Sequence, residues 1–220
     1  MRKHGIFIVM MMVGLLISTI AVSQDQYLPL DPGKSEIYAN TANPYYRIHR
    51  YITAVGPSAI YHSDVLVGDI VSESLALRLA SDTDGSIYCQ GGCWCPGQEP
   101  CHLTPGDLMV PATLKAGTGW ETWCESDVHG LVVFAYTCVR SEMVTVPAGT
   151  FECYLVARQI KSSTWKYRSL EWYSEGVGLV KFYWPWAGTY ELIEMTNEVQ
   201  PHQEKAIETD TWGGVKALYR

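Results

Sequence analysis

Four thiols and an imidazole crowd one stretch of the chain: Cys89, Cys93, Cys95, Cys101 and His102, spaced C-x3-C-x-C-x5-C-H. Thiolate and imidazole are soft ligands, so such a set could hold a metal such as zinc. The spacing lacks the paired C-x2-C knuckles of structural zinc sites. The competing chemistry is oxidation, with two local disulfides pinning a Gly/Pro-rich loop over residues 89–102. A Cys93–Cys95 bridge would close a strained ring, so Cys89 is expected to pair with Cys95 or with Cys101. Of the other three cysteines, Cys124, Cys138 and Cys153, one must stay unpaired. Cys138 with Cys153 is the expected bridge, because both flank the Val144–Val146 segment. Cys153 also alternates with Phe151 and Leu155, which fits a buried thiol instead.

Other chemistry finds less support. The chain has no G-x-S-x-G and no H-E-x-x-H, so no catalytic residue is expected from a motif. The histidines His49, His62, His102, His129 and His202 are scattered. His49 and His62 alternate with apolar neighbours and are expected on a surface face. Asp82-Thr83-Asp84-Gly85-Ser86 lacks the later acids of a calcium loop and reads as an Asp-Gly hairpin turn. The net charge is −7, without a basic run, which disfavours nucleic acid as a partner. No cofactor is expected. The 8 Trp and 14 Tyr suit sheet faces and a core. Trp184-Pro185-Trp186, beside a turn, could stack on a sugar.

The elements that must carry these residues are strands. In Val144-Thr145-Val146-Pro147-Ala148-Gly149-Thr150-Phe151-Glu152-Cys153, apolar residues alternate on both sides of a Pro-Ala-Gly-Thr turn. Trp172-Tyr173-Ser174-Glu175-Gly176-Val177-Gly178-Leu179-Val180 is a second strand-turn-strand unit. Pro147, Gly149, Phe151, Trp172, Gly176 and Gly178 thus form a structural motif. Further strands fit 46–53, 59–67, 74–79, 120–126, 131–140, 151–162, 165–173, 179–184 and 189–195. Ile48 and Ile52 share one face, and Leu75, Leu77 and Leu79 point inward. About ten short strands with short connections, and no amphipathic helix, predict an all-β fold. Its antiparallel, strongly curved sheet must close into a barrel-like or sandwich-like single domain to bury its apolar face.

The ends of the chain read differently. Arg2, Lys3 and His4 precede an apolar run over residues 5–20, and Ala21-Val22-Ser23 is a small-x-small cleavage site. Residues 1–23 are therefore read as a signal peptide. Export, to a periplasmic or extracellular location, makes disulfides the default for the cysteines. The β domain spans 24–196. A polar linker (197–211) and an aromatic, basic tail (212–220) follow it.

The two hairpin motifs, V-P-A-G-T-F-x-C and W-Y-x-x-G-V-G-L-V-K, followed by Tyr190-Glu191-Leu192, resemble a bacterial envelope family. It is similar to domain of unknown function 3108 and is also labelled TapB-like. Residues 108–121 look like that family's P-L-x-x-G-x-x-W element. Tyr27-Leu28-Pro29-Leu30 looks like its opening, although Glu36-Ile37-Tyr38 replaces the usual Trp-x-Tyr. The resemblance implies an exported all-β domain and carries no activity with it. The expected role is a non-enzymatic envelope module that binds an envelope protein or lipid, or holds an apolar ligand inside a curved sheet. A glycan-binding or hydrolytic protein with exposed aromatics, and a metal-binding cysteine loop, are the alternatives.

Overall fold

The computed structural model describes residues 27–55, 58–92, 101–127, 129–163 and 166–196. The expected signal peptide, Cys93, Cys95, and the expected linker and tail lie outside the described residues. Twelve strands run in chain order: β1 (Ser35–Asn40), β2 (Tyr46–Val55), β3 (Ser58–Val67), β4 (Ile70–Ser81), β5 (Ile87–Gly92), β6 (Cys101–Val110), β7 (Gly119–Ser126), β8 (Gly130–Val146), β9 (Gly149–Lys161), β10 (Lys166–Ser174), β11 (Gly178–Trp184) and β12 (Gly188–Thr196). Each pairs antiparallel with the next, and β1 pairs with β12, so the sheet closes into a barrel. Closure leaves no edge for another chain to extend. Among the described residues there is no helix.

Alternation sets the two faces. Ile48 and Ile52 on β2, Leu75 and Leu79 on β4, and Phe134 and Tyr136 on β8 are buried in the interior. Leu77, between two of them, is partly buried. The Asp82–Ser86 turn forms as expected, with Gly85 at positive φ. The sequence reading separates residues 131–140 from Val144–Val146, whereas β8 runs through both without a break. A bulge near Val139 keeps the ladder going: Cys138 faces Val156, and Arg140 faces Leu155. β5 and β6 escape the sequence pattern altogether. They take the first and last parts of the presumed cysteine loop into a hairpin, with Gly92 opposite Cys101 and Gly91 opposite His102.

The seam between β6 and β7 is short, with Leu103 opposite Ser126 and Thr104 opposite Glu125. Pro105 follows, and it has no N–H to continue the ladder. Trp120 Nε1 donates to the Leu108 carbonyl at 2.9 Å and bridges the gap farther along.

The ends of the barrel differ. At the base, where β1 begins, two segments fold over the opening. The segment ahead of β1 inserts Tyr27 and Leu28, both buried, and Tyr27 meets the Tyr154 ring edge-on at 5.7 Å. The tip of the β8–β9 hairpin reaches across to β12, where Ala148 N donates to Leu192 O at 3.1 Å. The other end, the mouth, carries the turns at 41–45, 68–69 and 185–187.

Candidate functional site: a charged cavity inside the barrel

Charged residues occupy inward positions of otherwise apolar strands. Arg50 lies between Ile48 and Ile52, and Arg158 between Val156 and Ile160. Glu171 pairs across the ladder with Val156 and Phe182, both buried. Arg50, Arg158, Glu36, Glu171, Lys34 and Asp107 are all buried. A buried charge is costly unless paired and hydrogen-bonded, so the fate of each group matters.

The carboxylates each accept from a tyrosine, although Asp107 Oδ1 has no partner. Glu36 pairs with Lys34 at 2.9 Å and accepts from Tyr38 at 2.7 Å and from Tyr61 at 3.3 Å. Lys34 also donates to the Val177 carbonyl, tying the base segment to the β10–β11 turn. Glu171 accepts from Ser169 at 3.1 Å and from Tyr173 at 2.7 Å. Asp107 Oδ2 accepts from Tyr136 at 2.5 Å. Burial nonetheless pushes the Asp107 carboxyl up to about 6, against the pull of Arg158 and the Tyr136 hydrogen bond.

The arginines are held more loosely. Arg158 stands 3.7 Å from Glu171 and 3.8 Å from Asp107, beyond hydrogen-bonding distance. Its Nε and Nη2 have no hydrogen-bond partner in the protein. The Arg50 guanidinium lies over aromatic faces, 4.4 Å from the Phe182 centroid and 4.9 Å from that of Tyr38. Such contacts stabilise a cation without using its N–H groups, and Arg50 Nε is likewise without a partner. Neighbouring tyrosines and carboxylates raise the pKa of both guanidiniums despite burial, so both stay charged.

Both arginines line one cavity of about 70 Å³, with Glu171, Tyr61, Tyr173 and Ser63. Its apolar wall is Leu28, Leu75, Leu77, Met109 and Leu179. Tyr167, Trp184 and Trp186 line it toward the mouth. Trp186 is 54% exposed, whereas Leu28, Leu179 and Tyr173 at the base are buried. The cavity therefore opens at the mouth. Trp184-Pro185-Trp186 is a gatepost: the two indoles stack at 6.0 Å, and Trp186 meets Tyr167 edge-on at 4.9 Å.

The cysteines do not meet in this site. Cys124, Cys138 and Cys153 are free, buried thiols. The expected Cys138–Cys153 bridge is absent because Cys138 faces Val156 while Cys153 faces Glu142. That offset of three residues is about 10 Å along a strand, too far for a disulfide. Burial pushes Cys153 up to about 11 and Cys124 up to about 12, which suppresses thiolate chemistry. Cys89 is buried on β5, its thiol directed at the Gly91 carbonyl at 3.5 Å. Cys101 opens β6, and the His102 side chain is exposed. With Cys93 and Cys95 outside the described residues, both the disulfide pairs and the metal set Cys89, Cys93, Cys95, Cys101 and His102 remain expectations. Gly149, Gly176 and Gly178 all have positive φ, and Trp172 Nε1 donates to Glu142 at 2.7 Å.

His49 and His62 face outward, as expected, but neither is exposed. Ser35 Oγ and His49 Nε2 are 2.7 Å apart, and Asp64 stands opposite His49. These residue types could build a nucleophile, yet Ser35 and His49 are buried, which denies a substrate access. His62 stacks on Tyr51 at 4.5 Å, and burial lowers its pKa to about 4.

Residues 132–182 match the DUF3108-like family. They cover β8 to β11, including both hairpin motifs, and bear out the resemblance read from them. No curated protein matches the chain in sequence. Three solved structures are similar. One is described as a lipoprotein from Parabacteroides distasonis (14% identity, TM-score 0.44, covering 78% of this chain and 99% of that one). Another is described as an exported protein with YmcC-like fold from Bacteroides fragilis (12%, 0.42, 78% and 99%). The third is the hypothetical lipoprotein YmcC from Escherichia coli (11%, 0.39, 80% and 90%).

Proposed function

We propose that this protein is an exported envelope domain, cleaved after Ser23, that holds an apolar ligand in the interior of its barrel. The N-terminal basic and apolar segments support export. The cavity carries the functional reading, because it has an apolar wall, a few convergent polar groups and one open end. Small-molecule sites share those features. Native mass spectrometry of protein purified from its own envelope is the test. A bound lipid-like mass, released on denaturation, is the expected result. An empty protein that neither retains nor takes up any apolar compound would overturn the reading.

A further inference from the structure

We infer that the cavity is built for an anionic amphiphile, whose carboxylate or phosphate meets the free donors of Arg158 and Arg50 while its apolar body lies along Leu75, Leu77 and Trp184. This rests on the proposed interior site and adds the chemistry of the ligand. Each interior carboxylate already accepts from a tyrosine, with Asp107 on Tyr136, Glu171 on Tyr173 and Glu36 on Tyr38, and Asp107 Oδ1 is the one oxygen among them without a partner. The unused donors of the cavity lining belong to the arginines. Arg158, more than nine-tenths buried, has two donor atoms without a partner, and Arg50 has one. A buried donor left without an acceptor costs about 1–3 kcal/mol, more when charged. An incoming oxyanion would recover that cost through charge-assisted bonds.

The shape of the cavity narrows the ligand further. About 70 Å³ accommodates roughly five waters, enough for a compact headgroup near the arginines. The apolar residues and the Trp184–Trp186 stack continue from there to the mouth, where a chain would lie. A cationic head would meet two guanidiniums, and a neutral one would not form charge-assisted bonds with their free donors. Acetate and inorganic phosphate supply the head without the body. Laurate and lauroyl lysophosphatidate supply both, from a free acid and a phospholipid source respectively.

The test is titration of the mature protein, followed by intrinsic tryptophan fluorescence and calorimetry. Laurate, lauroyl lysophosphatidate, dodecanol, dodecyltrimethylammonium, acetate and inorganic phosphate are compared. The expected result is that one or both lauroyl anions bind at least tenfold more tightly than dodecanol or the ammonium, and that acetate and phosphate bind at least tenfold more weakly. Which lauroyl compound binds better identifies the headgroup. Arg158→Gln should cost at least tenfold for the anion and leave dodecanol unchanged. Because Arg158→Gln could fail to fold, Ser63→Phe provides a second variant. It fills the cavity without removing charge and should abolish binding while the protein stays folded by circular dichroism. Dodecanol binding as tightly as the anions would overturn the anionic assignment and leave the interior site standing. Acetate binding as tightly as laurate would overturn the amphiphile. If no compound binds, the interior site itself falls.

Discussion

Burial moves two side chains, Asp107 and His62, in opposite directions, and stability should follow. Asp107 rises to about 6, so the native state holds its proton more tightly than the unfolded chain does. Its contribution is full below the ordinary carboxyl value near 4 and is lost as the pH rises through about 6. The groups facing it from the packed strands are Cys89 on β5, Cys124 on β7, Tyr136 on β8, Arg158 on β9 and Glu171 on β10. His62 falls to about 4, so its contribution is full above about 6.5 and is lost as the pH drops toward 4. Melting temperature measured across this range should therefore separate the two. Asp107→Asn should remove a loss of stability on raising the pH from about 4 to 6. His62→Phe, which can keep the stack on Tyr51, should remove a loss on lowering it. Identical pH profiles for wild type and both variants would show that neither group titrates as placed. Gly178 makes a third case at this scale. Its φ is +102°, and an added Cβ would lie 3.3 Å from Lys34 Nζ and Pro29 Cδ. Gly178→Ala should lose more than ~1 kcal/mol in denaturant unfolding and loosen the base segment. An unchanged midpoint would show that the segment moves aside freely.

At the scale of elements, the shortest ladder of the barrel is the β6–β7 seam. Its ladder ends at Pro105, and Trp120 spans the remaining gap with one side-chain bond. Trp120→Phe keeps a ring against Tyr136, which Trp120 stacks on at 5.0 Å, and removes the indole donor. It should cost about 1–2 kcal/mol and speed amide exchange in β6 and β7 before the other strands. Uniform exchange around the barrel would contradict this. The sequence shows why some elements are legible and others are not. The β8–β9 and β10–β11 hairpins announce themselves because strict alternation meets turn glycines. β5 and β6 do not, since Gly91, Gly92, Pro105 and Gly106 break the alternation and the cysteines between them suggest a loop. The interior arginines left a readable sign: Ile48-His49-Arg50-Tyr51-Ile52 and Val156-Ala157-Arg158-Gln159-Ile160 place a cation at an apolar position. The partner each cation lacks could not be read, because it depends on contacts between strands far apart in sequence, such as Tyr136 on β8 with Asp107 on β6. The Cys138–Cys153 pairing failed because the tight turn after Val146 sets Cys153 opposite Glu142, four residues along β8 from Cys138.

At the scale of the whole molecule, the barrel is blocked at one end and open at the other, and its exposed apolar residues favour the open end. Tyr45, Tyr46, Ile70, Val71, Leu131 and Trp186 are all exposed and sit on turns or strand ends at the mouth. Beside them, Lys161 and Lys166 face each other across β9 and β10, both exposed. Like charges directly opposite destabilise a sheet, a cost that an acidic surface beside the pair would offset. A ligand with an apolar body must leave an apolar phase to enter the cavity, and a mouth that carries apolar groups, with two lysines beside them, can rest on that phase while it does so. The proposed function thus predicts that the protein sediments with phosphatidylglycerol vesicles more than with phosphatidylcholine vesicles. Ile70→Lys, at the mouth, should weaken sedimentation with phosphatidylcholine vesicles, where apolar contact acts alone. Lys161→Glu should remove the preference for the acidic lipid. Met143→Lys, equally exposed but on the β8–β9 hairpin away from the mouth, should change neither. Equal effects at residues 70 and 143 would mean that the mouth is not the surface that meets lipid, and the ligand would then have to reach the cavity from solution.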